Sequence, residues 1–166
     1  QERFPFRYPA AMAVLDLASE KHDELLFNMW QMGRDAIEDK SGAFAYVIPR
    51  DQWDAASGNH LVNVMLQGGI EVHRATATFK VGNTEYPEGS YILYGAQAFR
   101  PFLADLMERQ NYPDLFQFPG GPPIPPYDLT GWTLPMQMGI KVDRITTSFT
   151  ATAQKLDAKV PVIAGS

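Results

Sequence analysis

The sequence predicts a three-layer α/β domain with a mostly parallel sheet, preceded by a long N-terminal connector helix. Three observations indicate this fold class. Residues 44–75 form a strand–helix–strand pattern with short connections, which is typical of a parallel strand pair joined by a crossover helix. A second apolar strand, 91–94, is followed by an amphipathic helix. Residues 9–39 keep a helical period of apolar side chains without a break.

The connector helix begins near Pro9, which suits a first helical turn, and ends before Gly42. A helix of about 30 residues spans roughly 45 Å, which is long for the edge of a small domain. Its apolar face is wide, and we expect part of that face to be covered by protein that this chain does not supply. Residues 1–42 are therefore treated as a helical connector.

The central region, 43–145, alternates short strands and helices and forms the α/β domain itself. Its strands are predicted at 44–49, 70–75, on either side of Gly82-Asn83, at 91–94 and at 139–142, and its helices at 54–67 and 96–110. Gly68-Gly69 ends the first of these helices. The C-terminal tail, 146–166, has weak periodicity, and we expect it to be extended or partly disordered.

Length and composition exclude several classes of protein. A chain of 166 residues with 45% hydrophobic and 20% charged residues is most simply one globular domain. A formal net charge of −5 argues against a nucleic-acid partner, because phosphate contacts need a basic surface. The apolar runs are too short for membrane insertion. The absence of cysteine removes thiol nucleophiles, disulfides and thiolate metal sites.

The sequence also contains no recognisable catalytic or metal-binding motif. His22, His60 and His73 lie on three different predicted elements, and none belongs to a zinc-binding motif. Ser57 lies near His60 but lacks the glycine spacing of a nucleophile elbow. We therefore expect neither a catalytic residue nor a metal ligand in this chain.

Polar side chains follow two of the predicted strands. Arg50 and Asp51 come after the first strand, and Gln97 and Arg100 come after the strand at 91–94. Open α/β sheets bind ligands at the carboxyl ends of parallel strands, which makes these four residues a candidate cluster. The simpler interpretation, which we favour, is that they belong to ordinary solvated loops.

A proline-rich ribbon, 118–135, follows the second helix and has the sequence FPGGPPIPPYDLTGWTLP. Proline runs hold an extended backbone at low entropic cost. Tyr127 and Trp132 offer large amphipathic surfaces that suit an interface, and Asp128 suits the cap of a turn. The ribbon is interpreted either as a purely structural device or as an interaction surface.

The stretch YPDLFQFPGGPPIPPYDLTGWTLPMQMGIKV resembles the segment that follows the catalytic domain in large bacterial zinc carboxypeptidase-like proteins, relatives of carboxypeptidase A. The earlier pieces LLFNMWQMGRDAIE, AYVIPRDQWD, LVNVMLQGGIEVHRA and YPEGSYILYGAQAFRPFLADLMERQNYPD follow in the same order as in that family. The resemblance covers roughly residues 6–142.

The resemblance implies a division between a parent protein and this chain. In the parent family a His-x-x-Glu pair and a later histidine hold zinc, and a glutamate activates water. This chain carries none of those motifs, so zinc is expected in the parent's catalytic domain and no cofactor is expected here. The region itself resembles a flavodoxin-like, class I glutamine amidotransferase-like domain, but the cysteine nucleophile of that fold is missing.

The function implied is that of a non-catalytic accessory domain that supports or shapes the peptidase domain preceding it in the same chain. The chain starts at Gln1 without a signal-like stretch, and we expect it to be part of a longer protein. The resemblance places that protein in the periplasm or outside the cell. The alternative is an independent peptide- or carbohydrate-binding module that uses the crevice and ribbon residues Arg50, Asp51, Gln97, Arg100, Tyr127, Asp128 and Trp132.

Overall fold

A computed structural model describes residues 7–111, 113–125 and 133–162. The helices within these ranges are α1 (Arg7–Glu20), α2 (His22–Glu38), α3 (Ala55–Gln67), α4 (Arg100–Met107) and α5 (Leu134–Gln137). The strands are β1 (Ala45–Ile48), β2 (His73–Ala75), β3 (Phe79–Val81), β4 (Thr84–Tyr86), β5 (Tyr91–Tyr94), β6 (Asp143–Ile145) and β7 (Ala153–Lys155).

The main sheet has five strands in the order β6-β1-β5-β2-β7, and every neighbouring pair is antiparallel. The predicted mostly parallel, flavodoxin-like sheet is therefore wrong. Both β1 and β2 run antiparallel to β5, so they point in the same direction, as a crossover through α3 requires. They are not neighbours, however, because β5 lies between them and pairs with both. The fold is a mixed α/β fold built on a split β-α-β unit.

Helices α3 and α4 pack on one face of this sheet. The buried side chains Leu61 and Met65 of α3 and Leu103 of α4 belong to the same cluster as Ile48 of β1 and Leu93 of β5. All five are at most 1% exposed. This face holds the larger of the two apolar cores, and it fixes α3 and α4 against the middle of the sheet.

The opposite face is covered by the hairpin β3-β4, which turns at Gly82. Its residue Phe79 stacks on Tyr86 at 5.1 Å and on Phe149 at 5.5 Å between ring centroids. These rings cluster with Val47 and Ile92 of the sheet. The helices α3 and α4 therefore cover one face of the sheet and the β3-β4 hairpin covers the other, where the predicted flavodoxin-like fold would have a second layer of helices.

The C-terminal part of the chain contributes two strands to the main sheet, one more than the sequence predicted. The last predicted strand forms at Asp143–Ile145 instead of 139–142. The tail, set apart as residues 146–166, supplies β7, which pairs with β2. Farther along the tail, Asn63 donates to the Val160 carbonyl at 2.8 Å and accepts from its N–H at 2.7 Å. The described part of the tail is therefore extended and held against α3.

The N-terminal connector consists of two helices instead of one. They meet at Lys21, whose ψ of 13° departs from helical geometry. Hydrogen bonds still run from Lys21 N–H to Leu17 and from Leu25 N–H to Lys21, both at 2.9 Å. The two helices therefore follow one another with a bend, and α2 reaches the domain where Gly33 approaches Ala98.

Candidate functional site

The most prominent surface feature is the apolar covering of α1 and α2, which we call the N-terminal arm (residues 7–38). In α2 no residue is buried. Side chains that would normally form a core are about half exposed or more, among them Met29 at 69% and Met32 at 70%. The large apolar residues exposed on the arm are Tyr8, Met12, Val14, Leu15, Leu17, Leu25, Leu26, Phe27, Met29, Trp30, Met32 and Ile37.

The apolar residues of the arm occupy more than one side of each helix. Val14, Leu15 and Leu17 follow closely in sequence, and consecutive helical residues project about 100° apart. Leu25, Leu26 and the following Phe27 do the same in α2. A helix that is apolar around most of its circumference is ordinarily surrounded by protein. Helix α1 therefore has the surface of a buried element, whereas α2 is amphipathic with a wide apolar face, and the described residues leave both surfaces exposed.

A shallow, mostly apolar concavity of about 390 Å³ spans the junction of the two helices and is lined by Val14, Leu17 and Leu25. Lys21 and Glu24, which form an ion pair at 3.4 Å, also line it. Protein–protein interfaces commonly combine such an apolar surface with a few charged side chains.

An aromatic group follows the concavity along α2. The rings of Phe27 and Trp30 are 5.6 Å apart, and the Arg34 guanidinium lies 5.3 Å from the Trp30 ring. Arg34 is itself fixed by Glu38 at 2.6 Å. Tryptophan and arginine are the residues that most often dominate binding energy at interfaces, so this group is the strongest candidate for an anchor.

The arm is attached to the domain at its C-terminal end by Arg100. Its guanidinium donates to the Asp39 carbonyl and lies 3.4 Å from the Asp39 carboxylate. Hydrogen bonds from the backbone and hydroxyl of Ser41, together with the charge of Arg100, hold the pKa of Asp39 below its usual value. Arg100 is thus a structural residue that joins α4 to the end of α2.

The structure does not bring the four predicted crevice residues together. Since β1 and β5 are antiparallel, Ile48 is opposite Tyr91 while Ala45 is opposite Tyr94. The residues that follow the two strands therefore lie at opposite ends of the sheet: Arg50 and Asp51 at one end, Gln97 and Arg100 at the other.

Gln97 also has a structural position. It is 6% exposed, accepts a hydrogen bond from the Glu71 N–H at 2.8 Å and donates to the Tyr94 carbonyl at 2.6 Å. The side chain thereby links the segment before α4 to the end of β5 and to the residues that precede β2. Its polar atoms are satisfied by the fold.

The aromatic centre of the ribbon, Tyr127, Asp128 and Trp132, lies outside the described residues. The part before it folds back on itself, with the Ile124 N–H donating to the Leu115 carbonyl at 2.7 Å. Phe118 lies in this loop and is 60% exposed. The described part of the ribbon therefore adds a smaller apolar surface.

Neither a metal site nor a membrane span is found in the described ranges. They contain no group of three or more histidine, cysteine, aspartate or glutamate side chains placed to hold a metal ion. No helix among them combines the length and apolar character needed to cross a bilayer. Searches against protein-family models, curated proteins and solved structures found no match to the chain.

Proposed function

We propose that this chain is a non-catalytic accessory domain of a zinc carboxypeptidase-like metallopeptidase, and that the N-terminal arm docks it on the peptidase domain. The observation that carries the proposal is the exposed apolar surface of α1 and α2. The choice of partner rests on the resemblance of the ribbon and its flanking segments to that family.

The arm contributes little to the stability of the domain that follows it. Among the described residues, neither apolar core contains a residue before Ala43. Full burial of a large apolar side chain is worth about 1.5–3 kcal/mol. Docking several of these side chains on a second domain would therefore stabilise an interdomain interface considerably, even after the cost of ordering it.

The proposed partner lies on the side of the chain from which the arm extends. In the family that the sequence resembles, the peptidase domain precedes this region. In our proposal that domain holds the zinc and carries out hydrolysis, while this chain supports or shapes it and supplies no zinc ligand. The protein would act in the periplasm or outside the cell, as members of that family do.

The proposal is tested first by reading the coding region upstream of Gln1. A His-x-x-Glu motif, a later histidine and a catalytic glutamate are expected there. A reading frame without these residues would overturn the assignment to a zinc peptidase.

The docking surface is tested in the full natural protein with Met29→Glu and the matched control Met136→Glu. Both methionines are 69% exposed, but Met136 belongs to α5 and is not part of the arm. We expect Met29→Glu to lower the melting temperature and the peptidase activity, because it places a charge in the interface, and Met136→Glu to change neither. Equal behaviour of the two variants would contradict docking through the arm.

A further inference from the structure

We propose that Arg50 and Arg74 form a binding site for a small oxyanion, a carboxylate or a phosphate, at the end of the sheet where β1 finishes. Two adjoining clefts of about 670 and 310 Å³ meet there, and Arg50, Arg74 and Gly89 line both. Clefts of this size are typical of small-molecule sites. The inference is independent of the docking role proposed for the arm, which lies elsewhere on the molecule.

Both arginine side chains converge on the same backbone position, Gly89. A Cβ at residue 89 would lie 3.3 Å from Arg50 Cδ and 3.6 Å from Arg74 Nη2. Gly89 has a φ of +89°, which side chains rarely tolerate. Because residue 89 has no side chain, both arginine side chains can approach its backbone. Arg50 comes from the residues just after β1, and Arg74 comes from β2.

The turn beneath the two arginines is held by hydrogen bonds. The Gly89 N–H donates to the Ala75 carbonyl at 2.9 Å. Ser90, which is fully buried, accepts from the Arg50 N–H at 3.1 Å and donates to the Pro87 carbonyl at 2.8 Å. The backbone of Arg50 and that of Ala75, the residue after Arg74, are both hydrogen-bonded to this turn. The points from which the two arginine side chains extend are therefore fixed.

Neither arginine has a close ion-pair partner among the described residues. Arg50 has only a weak contact with Asp51 at 3.9 Å, where both side chains are well exposed. Arg74 forms no salt bridge with any described residue. Other basic side chains are paired more closely: Arg144 with Glu108 at 2.8 Å and Lys155 with Glu71 at 2.6 Å. An anion in the cleft would supply the missing partner.

The walls of the cleft come from the start of α3 and from the C-terminal tail. The Tyr91 hydroxyl donates to Asn59 at 3.0 Å, and Asn59 donates to the Pro161 carbonyl at 3.0 Å. Glu88 and Asp157 also line the larger cleft. Their carboxylates disfavour an extended polyanion such as a nucleic acid, so the expected ligand is a compact anion.

The guanidinium group explains the preference for an oxyanion. Its planar fork of N–H donors matches the paired oxygens of a carboxylate or a phosphate. Arg74 could not be identified from the sequence, since its significance depends on the β2–β5 pairing that places it opposite Tyr91. Only that pairing brings it near Arg50.

The test is a calorimetric titration of the 166-residue chain with inorganic phosphate and, separately, with succinate, at constant ionic strength. Arg50→Gln and Arg74→Gln are compared with Arg109→Gln, which removes an exposed arginine outside the cleft that forms no salt bridge with any described residue. We expect saturable binding of at least one anion, reduced about tenfold or more by each cleft variant and unchanged by the control.

The two titrations also distinguish the ligand classes. Binding of phosphate alone assigns the site to a phosphate ester, and binding of succinate alone assigns it to a carboxylate. Absence of saturable binding of both by the wild type, or an equal effect of Arg74→Gln and Arg109→Gln, would overturn the proposal. Melting curves without anion serve as the folding check, and since Arg50 and Arg74 are exposed, all variants should melt as the wild type does.

Discussion

Arg100 donates a hydrogen bond to the Asp39 carbonyl and lies 3.4 Å from the Asp39 carboxylate, linking the first turn of α4 to the end of α2. The Arg100 side chain is only 12% exposed at this point. Because α2 has no buried residue of its own, it meets the domain through contacts such as this link and the approach of Gly33 to Ala98.

Replacing Arg100 with glutamine should release the end of α2 from the domain. Loss of one charge-assisted hydrogen bond should raise the exchange rate of the last α2 amides about tenfold, measurable by hydrogen exchange with mass spectrometry. Arg34→Gln is the control, since it removes an exposed pair with Glu38 within the same helix. Equal exchange in the two variants would mean that other contacts hold the arm.

Deleting residues 1–38 should leave the domain folded. The described cores begin at Ala43, so we expect a cooperative transition with a melting temperature within a few degrees of the original, and weaker binding of a hydrophobic dye. Circular dichroism and dye fluorescence measure the two. Deletion of 151–166 is the contrasting variant and should lower the melting temperature strongly, because it removes β7 and the Val160 contact with Asn63. A deletion of the arm that unfolds the domain would contradict the assignment.

Glu108 should make stability dependent on pH. Burial opposes its ionisation, but hydrogen bonds from Tyr46 at 2.6 Å and Arg144 at 2.8 Å outweigh this effect and lower the pKa of Glu108 below its usual value. The unfolded state therefore binds the proton more readily. The stabilisation is complete above the unfolded pKa and is lost as the pH falls through the folded pKa.

The measurement is the melting temperature of the wild type and of Glu108→Gln between about pH 3 and pH 7, a range that includes the usual pKa values of carboxyl groups. We expect the difference between them to be largest at neutral pH and to shrink on acidification. Asp39 and Asp54 also have lowered pKa values, so both proteins lose stability in acid and the difference isolates Glu108. A difference that does not change with pH would contradict this role.

The sequence predicted the positions of most central elements but not the direction of their pairing. Periodicity located β1, α3, the hairpin and β5 to within a residue or two. The error in direction has a physical cause: β1 is buried on both faces, a pattern usual in parallel sheets. Here α3 and α4 cover one face and the β3-β4 hairpin covers the other. The burial of β1 shows that both faces of the sheet are covered, but it does not distinguish parallel from antiparallel strands.

The predicted cluster failed for the same reason. Arg50 and Arg100 would lie together only if β1 and β5 were parallel, and their antiparallel register separates them. Arg50 and Arg74 both approach Gly89 because β1 and β2 pair with opposite edges of β5. Such relationships depend on sheet order, which local periodicity does not encode.

Gly95, directly after β5, marks a close approach of two backbone segments. Its N–H donates to the Phe44 carbonyl at 2.8 Å, and a Cβ at this position would lie 2.3 Å from the Ala43 carbonyl oxygen. Gly95→Ala should therefore force apart the segment that leads into β1 and cost about 2–3 kcal/mol of unfolding free energy.

Gly58→Ala is the matched control, because Gly58 is also buried but lies within α3, where a Cβ would meet Gln52 Cγ at an ordinary 3.4 Å. In a helix this change should raise the unfolding free energy by about 0.5–1 kcal/mol. Urea denaturation of the two variants measures both effects. The two changes in unfolding free energy should have opposite signs, because the backbone obstructs the methyl group at residue 95 and the helix accommodates the one at residue 58. A neutral Gly95→Ala would show that residues 43–44 do not approach β5 this closely.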